Sequence, residues 1–295
     1  MTMPPDPAVA HDRFMVLAAA VLFSTGGAAV KACSLGGWQV ASLRSGIAAL
    51  AICLLVPAAR RAWTWRIWLV GSAYAATMIL YVLANKLTTA ANAIFLQSTA
   101  PLYILLLGPW LLRERIQLRQ LVLMMALAVG MMLFFVGRQP ASATATDPLS
   151  GNLLGTAAGL SWALCIVGLR WLGRATEDTG ATSAAVCCGN LLASGAALPM
   201  ALPIAGATTT DWAVIAFLGL FQIGFAYAFL VRGVRRVPAF EVSLLLLAEP
   251  VLNPVWAWLI HGERPTPWAL LGGVVIITAT VVMAMPRRGM RRLAG

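Results

Sequence analysis

Ten runs of about 20 apolar residues follow one another along this chain of 295 residues and fill about two-thirds of it. A helix of that length rises roughly 30 Å, the thickness of a bilayer's hydrocarbon core. Backbone N–H and C=O groups meet no water there, so each run must satisfy them internally, as an α-helix does. The expected fold is all-α and integral to the membrane, with ten transmembrane helices. Charge agrees with this. Asp, Glu, Lys and Arg make up 11% of the residues, less than half of the roughly 25% found in soluble domains. A soluble enzyme, a disordered chain and a disulfide-stapled secreted domain are excluded.

The runs place spans at 13–31, 38–56, 65–85, 90–111, 118–137, 151–172, 182–202, 211–232, 239–260 and 267–285. The longest connection, 138–150, is rich in Ala, Ser, Thr and Pro and reads as a linker. The N-terminus lacks a basic region ahead of a short apolar core, so the first run is expected to be retained rather than cleaved as a signal. A net charge of +11 would suggest nucleic acid in a soluble protein. Here the basic residues cluster between apolar runs and act as topology signals, so the bilayer is the expected partner and nucleic acid is not. With the N-terminus in the cytoplasm, 16 basic residues flank spans on the cytoplasmic side and 4 (Lys31, Lys86, Arg138, Arg264) on the far side, with Arg44 inside a span. Both termini are therefore expected in the cytoplasm, the chain lying in a bacterial-type inner membrane. Most tryptophans fall at span ends, where interfacial belts lie; Trp162, Trp256 and Trp258 are the exceptions.

Slid against the first half, the second half gives a weak self-match. At an offset of 149, Pro101 meets Pro250, Glu114 meets Glu263 and Arg115 meets Arg264. At an offset of 139, Ala18-Ala19 meet Ala157-Ala158, Phe23 meets Trp162 and Lys31 meets Arg170. The chain divides into a five-helix repeat over 1–137, the linker 138–150, and a second repeat with a basic tail over 151–295. Five is odd, so the repeats enter the membrane in opposite directions. Inverted repeats can exchange conformations and expose one central site to either face.

Ten spans, two halves, Glu-Arg after spans four and nine, and Glu249-Pro250 in span nine resemble the EamA-type drug/metabolite transporter superfamily. Gly224-Phe225-Ala226-Tyr227-Ala228 in span eight and Trp162 in span six are similar to the YddG-type aromatic amino acid exporters. The resemblance implies a basket of helices around a central cavity, with spans five and ten more peripheral. It also implies export of amino acids and other small amphiphiles without a dedicated coupling ion. Ala100 departs from relatives that place a bulky aromatic before the proline, which bears on the substrate range.

Several residues could carry transport. Pro101 and Pro109 lie in span four, Pro250 and Pro254 in span nine. Each lacks an N–H and crowds the carbonyl four residues earlier, leaving Gln97, Leu105, Leu246 and Pro250 without the usual helical partner. A static kink is one reading; the repeat relation of Pro101 and Pro250 favours a hinge that bends at each gate in turn. Glu249 lies near the middle of span nine, where a charge is costly and marks function by default. It could be a neutral carboxyl bonded near the break, a partner for Arg44 or a substrate ammonium, or a proton-coupling site. Arg44 itself could snorkel outward or neutralise buried carbonyls or a carboxylate.

Tyr74, Met78, Tyr81 and Asn85 share one helical face. Such a stripe usually means helix packing, yet phenols and an amide in hydrocarbon need partners. With Ser24, Gln97, Trp162, Gln222, Tyr227, Ser243 and Glu249, they outline a cavity with aromatic walls and few charges. That lining suits neutral or zwitterionic amphiphiles such as an aromatic amino acid, not phosphorylated sugars, which would want several basic residues.

The five cysteines have no paired spacing, the two histidines lie at a terminus and a span end, and no phosphate-loop pattern occurs. No metal, cofactor or enzymatic activity is expected. The leading expectation is facilitative export of aromatic or apolar amino acids by alternating access. Proton-coupled efflux of drugs or cations through Glu249 is the rival, and a non-transporting scaffold or sensor the alternative from another class.

Overall fold

The computed structural model describes residues 7–60, 63–111, 118–136, 141–175, 180–233, 237, 242 and 245–284. Among them, regular structure is helical apart from an isolated bridge between Ser142 and Ala145 in the linker. The helices are α1 (Pro7–Ser24), α2 (Gly26–Ala32), α3 (Gly37–Leu55), α4 (Trp65–Leu87), α5 (Ala90–Gln97), α6 (Ala100–Leu111), α7 (Leu118–Val136), α8 (Pro148–Ala175), α9 (Gly180–Ala201), α10 (Thr209–Phe217), α11 (Ala226–Gly233), α12 (Ala248–His261) and α13 (Pro267–Ala284). A π-helical stretch, Leu218–Phe225, joins α10 to α11.

Six of the resulting rods are long and apolar enough to cross a bilayer: Ala10–Ala32, Gly37–Leu55, Trp65–Leu87, Pro148–Leu172, Gly180–Ala201 and Thr209–Gly233. Three more apolar helices, Ala90–Leu106, Gln120–Val136 and Pro267–Val282, are shorter. Their outward faces carry large apolar side chains in the open, among them Leu50, Leu54, Trp65, Val129, Met132 and Val274. A lipid-facing surface is apolar in this way. The protein is a multi-pass membrane protein.

Several expected spans are broken, and the breaks have local causes. In span one the chain turns at Thr25, whose N–H and Oγ1 both bond the Leu22 carbonyl. In span four, Pro101 has no N–H to offer the Gln97 carbonyl. The backbone tightens instead: Thr99 N bonds Leu96 O at 3.2 Å, and Leu102 N bonds Thr99 O at 2.8 Å. The helix restarts as α6 with Pro101 in its first turn, where a missing donor costs nothing. Span nine behaves alike, with a turn at Leu247 and Pro250 in the first turn of α12. A further proline, Pro199, sits inside α9.

The family of contacts interleaves the two halves of the chain. Helix α4 packs against α8 and α9, and α3 packs against α9 and the π stretch. At the periphery α7 packs on α13, crossing at two glycines. A Cβ on Gly272 would stand 2.6 Å from Gly130 O, and one on Gly130 would stand 3.1 Å from Gly272 O. Close backbone approach over small residues is how helices associate where lipid supplies no hydrophobic drive.

Helix termini on one side of the bundle are tied by polar groups. Thr89 Oγ1 caps α5 by accepting from Asn92 N, and Thr208 and Asp211 form a capping box at α10. The Asp211 carboxylate also accepts from Ser34 N and Ser34 Oγ, fastening the α2–α3 turn to α10. Helix α12 ends on Gly262, whose φ of +66° suits glycine.

Candidate functional site

A cavity of about 120 Å³ lies in the middle of this bundle, many times the roughly 10–15 Å³ that one water requires. Phe23 of α1, Arg44 of α3, Tyr74, Met78 and Tyr81 of α4, and Gln97 of α5 line it from the first half of the chain. Trp162 of α8, Gln222 and Ile223 of the π stretch, Tyr227 and Leu230 of α11, Leu246, and Glu249 of α12 line it from the second.

The aromatic wall is built from edge contacts. Tyr227 meets Phe23 at 5.5 Å and Tyr74 at 6.1 Å between ring centroids, at interplanar angles of 80° and 66°. Each such pair is worth about 0.5–1.5 kcal/mol beyond its buried area. The phenols are held by asparagines of the other half: Asn190 Nδ2 donates to Tyr74 Oη at 3.2 Å, and Asn253 Nδ2 donates to Tyr81 Oη at 3.1 Å. Tyr74 also needs Gly189 beside it, because a Cβ there would stand 2.6 Å from its ring.

Two ionisable side chains, Arg44 and Glu249, face this space. Arg44 does not snorkel; it is 1% exposed, and Nη2 donates to Met78 O at 3.2 Å and approaches the Met78 sulfur at 3.8 Å. Its guanidinium carbon stands 6.0 Å from the Tyr81 ring centroid. Glu249 occupies the first turn of α12, a mid-membrane helix N-terminus that favours negative charge. Arg44 and Glu249 form no ion pair with each other. Gln97 Oε1 and Gln222 Oε1 are buried without a hydrogen-bond partner, though Gln222 Nε2 donates to Phe23 O. A Cβ on Gly26 would stand 2.8 Å from Gln222 Nε2, so glycine at the α1–α2 break lets Gln222 reach that position.

Of the residues expected from sequence, Tyr74, Met78, Tyr81, Gln97, Trp162, Gln222, Tyr227 and Glu249 share this one cavity. Ser24 and Asn85 stand outside its wall. Ser24 Oγ donates to Val21 O and accepts from Trp256 Nε1 at 2.9 Å, clasping α1 to α12. Asn85 is fully buried one turn beyond Tyr81, and its Nδ2 donates to Tyr81 O. Ser243 lies outside the described residues. Pro101, four residues after Gln97, and Pro250, directly after Glu249, lie at the two helix restarts and are not part of the cavity wall. Phe23, Ile223, Leu230 and Leu246 complete the wall without having been singled out as cavity residues. Sequence signals for them existed: Phe23 pairs with Trp162 at the offset of 139, and Ile223, Leu230 and Leu246 lie one helical turn from Tyr227 or Glu249.

Beyond Asn85 lies a second polar assembly. Lys31 Nζ stands 3.0 Å from Glu263 Oε1, with both side chains almost wholly buried. Nζ also donates to Asn85 O, Thr88 O and Thr144 O, while Glu263 Oε2 accepts from Ala90 N at 2.9 Å. These groups belong to the C-terminal ends of α2 and α4, the start of α5, the linker, and the turn after α12. The pair therefore joins both halves at one end of the bundle. Among the described residues no group of three or more His, Cys, Asp and Glu side chains could hold a metal.

Comparison with known proteins places this architecture. The pseudopaline exporter CntI of Pseudomonas aeruginosa (strain UCBPP-PA14) is 26% identical over 86 residues, covering 29% of this chain and 30% of that protein. The aligned stretch thus spans under a third of the relative. A solved crystal structure 19% identical in sequence superposes with a TM-score of 0.61, covering 93% of this chain and 96% of its own. That likeness is one of fold. The EamA-like transporter family matches residues 13–136 and again 149–285, the two stretches whose side chains meet at the cavity. The chain belongs to the EamA-like transporter family.

Proposed function

We propose that this transporter exports aromatic and other apolar amino acids, and similar small amphiphiles, from the cytoplasm across the inner membrane, facilitatively and by alternating access. Ten spans form two inverted five-helix repeats, 1–137 and 151–295, joined by the linker 138–150, with both termini cytoplasmic. The observation that carries the substrate class is the cavity lining: five aromatic rings, two amides, one guanidinium and one carboxyl, contributed by both halves of the chain. Such walls offer stacking surface to an apolar side chain and few charges to anything larger.

Alternating access draws support from the helix restarts at Pro101 and Pro250, which sit at repeat-related positions beside the cavity. Discontinuous helices near a central site are what two exchanging repeats use to open one face or the other. The Lys31–Glu263 pair then fastens one end of the bundle, and access from that end requires its release.

The test is counterflow of labelled phenylalanine and tryptophan in proteoliposomes. Saturable exchange, competed by aromatic and large apolar amino acids more strongly than by small polar ones, is expected. A folded protein that exchanges none of these amino acids would falsify the reading.

A further inference from the structure

The export reading leaves the two charged groups of the cavity without a task. Arg44 is protonated at any physiological pH and lies inside a span, where an unneutralised charge is costly. What it has in the protein is a carbonyl, a thioether and the face of a phenol. These stabilise a cation but do not neutralise it, and Nε has no partner at all. Glu249 stands in the wall of the same cavity at the start of α12, and among the described residues no cation pairs with it. A buried pair in contact would have cancelled both costs; here the two groups line one cavity without forming an ion pair.

We infer that Arg44 and Glu249 are the two poles of a zwitterion site, the guanidinium receiving the substrate's α-carboxylate and the Glu249 carboxylate its α-ammonium. This rests on the export reading and specifies it. The aromatic rings then take the side chain, and the charges take the amino acid backbone. An amine lacking the carboxylate leaves Arg44 uncompensated and adds a second cation. An acid lacking the ammonium leaves Glu249 facing a second anion. Sites built to bond a charged group reject analogues that lack it, because their own buried groups are left unpaired. The cavity is accordingly selective for the amino acid over both of its truncated forms.

The test compares phenylalanine, phenethylamine and 3-phenylpropanoate in proteoliposomes carrying the wild type, Arg44→Gln, Arg44→Lys, Glu249→Gln and Glu249→Asp. The wild type is expected to prefer phenylalanine to either analogue by about tenfold or more. Arg44→Gln should erase the preference over the amine while keeping that over the acid. Glu249→Gln should do the reverse, and the Lys and Asp variants should retain part of each. A merely structural role lowers transport of all three compounds equally, and that pattern overturns the assignment. So does wild-type transport of phenethylamine as fast as phenylalanine, which would leave amino acid export itself standing. A folded wild type that carries no phenylalanine overturns the export reading, and the assignment with it. Arg44→Lys and Glu249→Asp keep the test decisive if the neutral variants fail to fold, because equal losses in the conservative pair also overturn it.

Discussion

Lys31 of α2 and Glu263 of the α12–α13 turn form an ion pair at 3.0 Å that water scarcely reaches, although 232 residues separate them in sequence. Its cation also serves three backbone carbonyls and its carboxylate the first N–H of α5. Removing one partner of such a pair strands the other charge, at a cost of about 3–5 kcal/mol. Glu263→Ala should therefore lower the thermal midpoint of the purified protein by several degrees. Adding Lys31→Met should recover much of the loss, because the stranded ammonium disappears. Additive losses in the double variant would show that the two residues act independently.

The prolines give a kinetic prediction. Pro101→Ala and Pro250→Ala supply the missing N–H groups and invite α5–α6 and the start of α12 to become continuous. The cavity walls stay in place, so initial transport rates should fall several-fold while half-saturating substrate concentrations change little. Wild-type turnover in both variants would reduce the breaks to static features.

How much of this was legible in the sequence depends on what each residue had to signal. Apolar length reads out directly, because crossing a bilayer requires it, and the tyrosine stripe of α4 reads out because its spacing fixes a face. The breaks at Thr25 and at Ser98-Thr99 left no trace in hydropathy: the side chains bond carbonyls of their own turn, and the flanking residues stay apolar. The π stretch was equally silent, since Leu218–Phe225 is as apolar in one helical geometry as in another. Lys31 and Glu263 each resembled a loop charge, and only the fold reveals that they face each other. Ser24 and Asn85 mark the opposite limit. Polarity at depth announces that a partner exists without saying whether it is a cavity or, as here, Trp256 and the Tyr81 carbonyl.

The aromatic wall should discriminate among substrates. Trp162→Ala and Tyr81→Ala each remove a face worth about 0.5–1.5 kcal/mol, or roughly two- to tenfold. Competition by phenylalanine and tryptophan should weaken by that factor relative to leucine. Tyr81→Ala also frees Asn253, so Tyr81→Phe is the control that separates ring from hydroxyl. Equal losses for aromatic and aliphatic substrates in both alanine variants would point to packing rather than recognition.

Orientation is open to a direct test. Ala143 in the linker and Pro57 after α3 are both exposed and belong to opposite ends of the bundle. In a background without the five native cysteines, Ala143→Cys should react with an impermeant maleimide on intact cells. Pro57→Cys should react only after permeabilisation. The converse labelling would reverse the topology drawn from the basic residues.

Energy coupling is the last point at which two mechanisms part. A proton antiporter needs a carboxyl that substrate and proton occupy in turn, and among the described cavity residues Glu249 is the one acid available. If its carboxylate is held by the substrate ammonium, and the exchange is amino acid for amino acid, no net proton movement accompanies transport. An imposed pH gradient across proteoliposomes should then change the initial rate by less than about twofold and should not drive phenylalanine above its equilibrium distribution. The measurement is the steady-state ratio of internal to external label, with and without the gradient, against liposomes lacking protein. A ratio that climbs several-fold with the gradient and collapses on adding a protonophore would instead assign Glu249 to proton coupling, and the facilitative mechanism would have to be abandoned.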